Sequence, residues 1–256
     1  MMITILAPAK RMESGAPAWA GEAKSSFYGE MTRELVEALR GYSVEEMKSL
    51  MKVSDGIAEN TVQRFQGFTF GAEGTPALFA YQGDAYQGLD AESLSAEDVA
   101  WAQGQLRILS GLYGALSPMT GVEPYRLEMG LSLPGFGVLS GWWKQVVTEH
   151  LAALMPSGGA LLNLASGEYA KAVDKKAIRK EGRFVDVAFK ERSGDTLKAV
   201  AIHAKRARGA MARWIIENRI ADVAEVKGFD GSGYRLDQGL STENSLVFVR
   251  DAGGKG

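Results

Sequence analysis

The sequence predicts an α/β protein: a single domain built on a mixed sheet flanked by helices. Three observations predict it. At 256 residues and 46% hydrophobic content, the chain can bury one large core without splitting into several. Short β-branched or apolar runs alternate with stretches of helical spacing, as sheets with crossover helices do. Hairpin patterns at Ser193-Gly194 and near the C-terminus argue against a purely parallel sheet. No internal repeat, low-complexity tract or Pro-rich linker divides the chain. Residues 1–250 therefore read as one domain, and 251–256 (DAGGKG) as a disordered tail.

In chain order, Ile3 to Leu6 is a first strand ending before Pro8, and residues 13 to 26 are small and polar, a loop. Thr32 to Leu39 has helical spacing, with Leu35, Val36 and Leu39 on one face. Ser43 and Glu46 form a capping box for a helix over Val44 to Met51. Lys52 to Gly56 breaks that helix, and a second runs from Ile57 to Phe65. Ala77 to Tyr81 reads as a strand, and Ser95 with Asp98 caps a helix over Ala96 to Leu109. Gly141 to Met155 is helical, and Leu161 to Leu164 is a short buried strand. Ser166 is placed to cap a helix carrying Glu168, Tyr169 and Lys171. Arg183 to Lys190 and Leu197 to Ala204 are strands of one hairpin, and Gly233-Tyr234 with Leu246 to Val249 form a terminal pair.

Composition excludes several classes. With no cysteine, disulfides, thiol nucleophiles and cysteine-ligated metals are ruled out. The histidines, His150 and His203, share no ligand spacing, so neither a zinc site nor a cofactor is expected. No run approaches the roughly 18 apolar residues of a membrane span, and no basic n-region precedes the first apolar run. A cytoplasmic protein with no membrane partner is the expectation. GxGxxG and GxxxxGK[ST] are both absent.

The charge is uneven. Lys171 to Arg213 holds 13 Lys or Arg against 5 Asp or Glu, a local +8, so the rest carries −10 of the total −2. Such a block suits an anionic partner, although a solvated basic face gives the same count. Within HAKRARGAMARWIIENRI (203–220), a step of about 100° per residue sorts the side chains. Arg206, Arg213 and Glu217 share a solvated face. Arg208 and Arg219 fall in line between two apolar sectors, joined by Lys205 if the helix starts early enough. Internal salt bridges would account for them, and so would a cleft where Lys205, Arg208 and Arg219 meet an anion. A strand-to-helix junction at Lys205 to Gly209 would add free backbone N–H groups.

Other candidates are weaker from residues alone. Lys10 follows the first strand, where it can reach a cleft or simply face water. In PYRLEMG (124–130), Tyr125, Leu127 and Met129 alternate with Arg126 and Glu128, so the latter two point one way as an ion pair or an anion-binding pair. Glu168 is either a helix-dipole partner or a site carboxylate. The segment VEEMKSLMKVSDGIAENTVQRF, with Lys52, Ser54, Asp55 and Gly56 at its turn, reads equally as an ordinary αα-hairpin or a helix-hairpin-helix DNA-binding element.

These segments together resemble the bacterial peroxide-stress protein family named for YaaA. The resemblance covers nearly the whole length: PAK at 8–10, VSD at 53–55, LSGLYGAL at 109–116, PYRLEMG, NLAS at 163–166, AKRARG at 204–209, IIENR at 215–219 and GFDGSGY at 228–234. It implies a cytosolic DNA-binding α/β fold with a positively charged cleft and a helix-hairpin-helix element near 44–66. It also implies a role in limiting iron-dependent oxidative damage to DNA. Carried over by motif, the cleft residues are Lys10, Arg126, Glu128, Glu168, Lys205, Arg208, Asn218 and Arg219. The family usually has SPAKT where this chain has APAKR, so a hydroxyl on each side of Lys10 is missing. An enzyme acting on a small phosphate- or carboxylate-bearing substrate in a Lys/Arg-lined cleft is the alternative function. The expected partners are DNA (duplex, single-stranded or distorted) and a small anionic ligand.

Overall fold

The computed structural model describes residues 2–26, 28–70 and 74–253. Its elements in chain order are strand β1 (Met2–Leu6), helices α1 (Gly29–Arg40), α2 (Val44–Met51), α3 (Asp55–Gln66), α4 (Asp84–Leu89) and α5 (Ala96–Gln105), and strands β2 (Leu106–Ser110) and β3 (Gly114–Leu116). Then come α6 (Leu139–Leu154), β4 (Ala160–Leu164), α7 (Lys175–Glu181), β5 (Arg183–Ser193), β6 (Thr196–Lys198), α8 (Ala201–Glu217), β7 (Arg235–Leu236) and β8 (Ser245–Asp251). Short strand pairs and single helical turns fill the connections.

The main sheet is eight-stranded, in the order β7–β8–β5–β4–β1–β2–β3 with β6 paired to β5. Five neighbours, β8, β5, β4, β1 and β2, run parallel, while β3, β6 and β7 pair antiparallel at the margins. Numbered by chain position, the parallel strands lie in the order 2-1-3-4-5, a doubly wound arrangement that reverses direction between β1 and β4. Every residue of β1, β2 and β4 is buried, so both faces of the sheet centre are covered. Helix α8 packs across β1, β4 and β5, and α5 packs on β1 and β2.

Local chemistry explains the helices. Both predicted capping boxes form: the Ser43 hydroxyl accepts from Glu46 N–H at 3.2 Å, and Ser95 accepts from Asp98 N–H at 3.1 Å. Helix α6 buries Leu139, Trp143, Val147 and Leu151, one residue per turn, and the Trp143 indole donates to Gly111 O at 2.9 Å. Helices α4 and α8 meet backbone to backbone through Gly88 and Gly209.

Several expectations are corrected. Ala77–Ala80 is a buried helical turn with only Tyr81–Gln82 in a strand, because Ala77 N–H and Leu78 N–H are taken by Thr120 O and Pro118 O. The helix predicted to reach Leu109 stops at Gln105, and the next five residues are a central strand. Leu197 to Ala204 is not one strand: β6 ends at Lys198, α8 begins at Ala201, and Lys205 to Gly209 lies inside a helix instead of at a junction. Ser166 caps no helix; Tyr169–Ala172 is one 3-10 turn. Asp251, the first residue of the predicted tail, instead closes β8, and 254–256 lie outside the described residues. No helix among the described residues is long and apolar enough to cross a membrane.

Candidate functional site

The chain reversal between β1 and β4 sets the site. Leu6 is paired with Leu164 in register, so the segments leaving both strands emerge side by side, with Lys10 and Glu168 each four residues on. PYRLEMG crosses the same edge. It is held close over the end of β2, where a Cβ on Gly111 would sit 2.3 Å from Leu127 O. Tyr125, Leu127 and Met129 are buried and Arg126 and Glu128 half-buried, the predicted alternation. Beneath them the Tyr125 hydroxyl lies 2.6 Å from Ser110 Oγ and 2.9 Å from the Tyr81 hydroxyl. Burial pushes the Tyr125 phenol up to about 12.

Three predicted residues meet here. Glu128 Oε1 lies 3.3 Å from both Lys10 Nζ and Arg126 Nε, so two cations share one carboxylate. Glu168 points elsewhere, its Oε1 accepting the Gly130 N–H at 2.9 Å and fixing the end of PYRLEMG. Arg64, on α3, stands near enough for its proton affinity to be lowered, first by burial and then by repulsion from Arg126.

A second group lies over the end of β4. A cleft of about 410 Å³ is lined by Lys144 from α6, Lys171, Lys175 from α7, Asp186 from β5 and Arg208 from α8, with Ala165 and Gly167 where β4 ends. Lys175 is bound to Asp186 at 2.8 and 2.9 Å, and Asn163 donates to the same carboxylate at 2.7 Å. Arg208 has no ion pair among the described residues, and its buried Nε has no hydrogen-bond partner. Burial lowers its proton affinity. Lys144 and Lys171 are exposed.

The remaining predicted residues do not join these groups. Lys205 is exposed on α8. The Asn218 amide donates to Trp214 O at 2.8 Å, closing the helix end. Arg219 holds Asp98 at 2.7 Å and lies over the Trp101 ring. Arg208 lies inside α8, whereas Arg219 stands two residues past its last residue, Glu217, with φ 54°, so the helical phase that aligned the two does not reach Arg219. Arg213 forms the expected pair with Glu217 at 2.7 Å, yet it is half-buried and also donates to Asp90 O and Ser93 Oγ, both at 2.7 Å. In the hairpin, Lys52 makes the turn at φ 54°, Ser54 precedes α3, Asp55 pairs with Lys48 at 2.6 Å, and Gly56 lies in the helix's first turn. His203 lies in the first turn of α8, its Nδ1 2.6 Å from the buried Glu191, which also meets Arg250 and Tyr234.

Sequence reasoning missed Arg64, Lys144, Asn163, Lys175 and Asp186. Asn163 carried a usable sign, a polar residue inside the apolar run ALLNL. Lys144 and Arg64 sit on amphipathic helices among other charges and carried none.

The family model described as peroxide stress protein YaaA matches residues 2–240. The chain belongs to the YaaA peroxide stress family. Relatives in this family include a UPF0246 protein of Maricaulis maris, 42% identical over 254 residues, covering 97% of this chain and 96% of the relative. A UPF0246 protein of Legionella pneumophila is 39% identical over 257 residues, covering 97% and 99%. One from Acaryochloris marina is 42% identical over 225 residues, covering 86% and 88%. The match to the YaaA family spans the cleft residues on β4, α7 and α8 as well as PYRLEMG.

Proposed function

We propose that the chain acts in the cytosol during peroxide stress by binding DNA through its phosphates, and so limits iron-dependent damage to it. The observation that carries this reading is the cleft over β4, where Arg208 is half-buried and has no carboxylate partner among the described residues. A guanidinium in that state is stabilised by an anion, and phosphate oxygens match its donors. Lys144 and Lys171 add charge at the rim, making this the positively charged cleft. Lys10, Arg126 and Arg64 extend the basic surface along the same sheet edge, where doubly wound folds bind ligands. The α2–α3 hairpin is assigned a second phosphate contact of helix-hairpin-helix type. No side chain caps α3, which leaves the amides at its amino end for a phosphate.

The test is affinity for duplex, single-stranded and bubble DNA against salt. Each phosphate contact contributes about −0.9 to the log–log slope on duplex. Arg208→Ala with Lys171→Ala should flatten that slope by about 2 and weaken all sequences alike. Arg219→Ala should leave affinity unchanged. Unaltered binding by the folded double variant would remove the cleft from the interface.

The size of the cleft favours a second reading, an enzyme acting on a small phosphate- or carboxylate-bearing substrate, because about 410 Å³ holds such a molecule and not a duplex. Turnover of such a compound by the wild-type chain, lost in Arg208→Gln, would carry it.

A further inference from the structure

We infer that the cleft over β4 recognises a phosphate monoester, the dianionic end group of a nucleic acid strand or of a free nucleotide, in preference to the internal diesters of a strand. The inference rests on the phosphate-binding reading above and adds which phosphate is bound.

The charge count selects the dianion. Four cations line the cleft: Lys144, Lys171, Lys175 and Arg208. Lys175 is already neutralised, since both Asp186 oxygens lie within 2.9 Å of its ammonium. Asp186 is further occupied by Asn163 Nδ2, and Asn163 Oδ1 by the Ala165 N–H at 3.0 Å. Among the described residues three cations remain without a carboxylate in ion-pair contact; Asp174 lies within electrostatic reach of Lys144, and Arg208 is the least hydrated of the three. An internal phosphodiester carries a single charge and two free oxygens. A monoester carries about −1.5 to −2 near neutral pH and three acceptor oxygens. Attraction grows with ligand charge, and more so where water is partly excluded.

Arg208 reaches the cleft from α8, Lys144 and Lys175 from α6 and α7, and Ala165 and Gly167 line it where β4 ends.

The experiment uses the full chain and fluorescence anisotropy on a short single strand carrying either a terminal phosphate or a terminal hydroxyl. In parallel, calorimetry uses adenosine monophosphate and adenosine. The terminal phosphate should tighten strand binding by about tenfold or more, the scale of a charged hydrogen bond gained. Arg208→Gln should abolish that difference. Lys144→Gln with Lys171→Gln, both at exposed positions, should reduce it while leaving circular dichroism unchanged. If both strands bind equally, the monoester inference is overturned and the phosphate-contact reading stands. Binding of the mononucleotide without either strand supports the monoester, names the free nucleotide as its source, and sinks the DNA reading. Failure of both strands and of millimolar mononucleotide overturns both.

Discussion

Replacing Gly209 with alanine tests how α8 is held. A Cβ there would lie 1.6 Å from Ala85 O, 2.7 Å from Ala85 C and 2.8 Å from Leu89 N. The obstructing atoms are backbone, so no rotamer change relieves them. Carbon–oxygen contacts close at about 3.3 Å, so α4 and α8 must part by roughly 1.7 Å. Gly88 meets the same limit from the other side, its Cβ falling 2.1 Å from Arg206 O. Overpacking costs about 1–3 kcal/mol, and a backbone clash belongs at the upper end. At about 2–4 °C per kcal/mol for a chain of this size, Tm should fall by about 6–12 °C. Thermal and urea unfolding measure it. Gly104→Ala is the control: the site lies in α5 with nothing within 4 Å, so the substitution should add about 0.5–1 kcal/mol. A Gly209→Ala Tm within about 2 °C of wild type would refute the reasoning, as would an equal loss in Gly104→Ala. Because Arg208 is the adjacent residue, Gly209→Ala should also weaken phosphate binding.

Tyr125→Phe strands the buried Ser110 and Tyr81 hydroxyls and should cost about 1–3 kcal/mol in urea unfolding, with no change in the fold seen by circular dichroism. The Asp98 carboxyl is held below its usual range, first by the Ser95 hydroxyl and then by the Ser95 N–H, with Arg219 adding to it. A depressed folded value means its contribution is complete above the unfolded value near pH 3.9 and is lost as pH falls through the folded one. The stability gap between wild type and Asp98→Asn should therefore hold steady from pH 7 to 5 and narrow below about pH 4; a gap that widens in acid would contradict this. Arg213→Ala removes donors to Asp90 O, Ser93 and Glu217 and should lower stability by about 1–3 kcal/mol, read by urea unfolding.

What was legible followed from local rules. Ser43/Glu46 and Ser95/Asp98 started their helices where the capping box predicts, and the alternation of PYRLEMG survived although it forms no strand. Leu106–Ser110 was lost to a helix because LRILS joins α5 without a break, and its arginine sits inside a buried strand. Arg107 is accommodated there by donating to Gln103 O at 2.9 Å and Leu106 O at 2.7 Å, local carbonyls where α5 gives way to β2. Helical phase grouped Arg208 with Arg219 because it assumes that the helix continues, and α8 ends at Glu217 with Arg219 turned to φ 54°. Lys144 and Asp186, which complete the Arg208 cleft, come from a helix and a strand brought together only by the crossover.

The hydroxyl row under PYRLEMG has a direction. Ser110 Oγ accepts the N–H groups of Leu112 at 3.1 Å and Tyr113 at 2.9 Å, which occupy both its lone pairs. Its own proton must then go to Tyr125, and the proton of Tyr125 to Tyr81. Two main-chain amides thereby choose one of the two polarities an unconstrained hydroxyl chain would alternate between. The floor beneath Arg126 and Glu128 presents a fixed dipole pattern, so the field at that ion pair does not fluctuate with proton disorder below it.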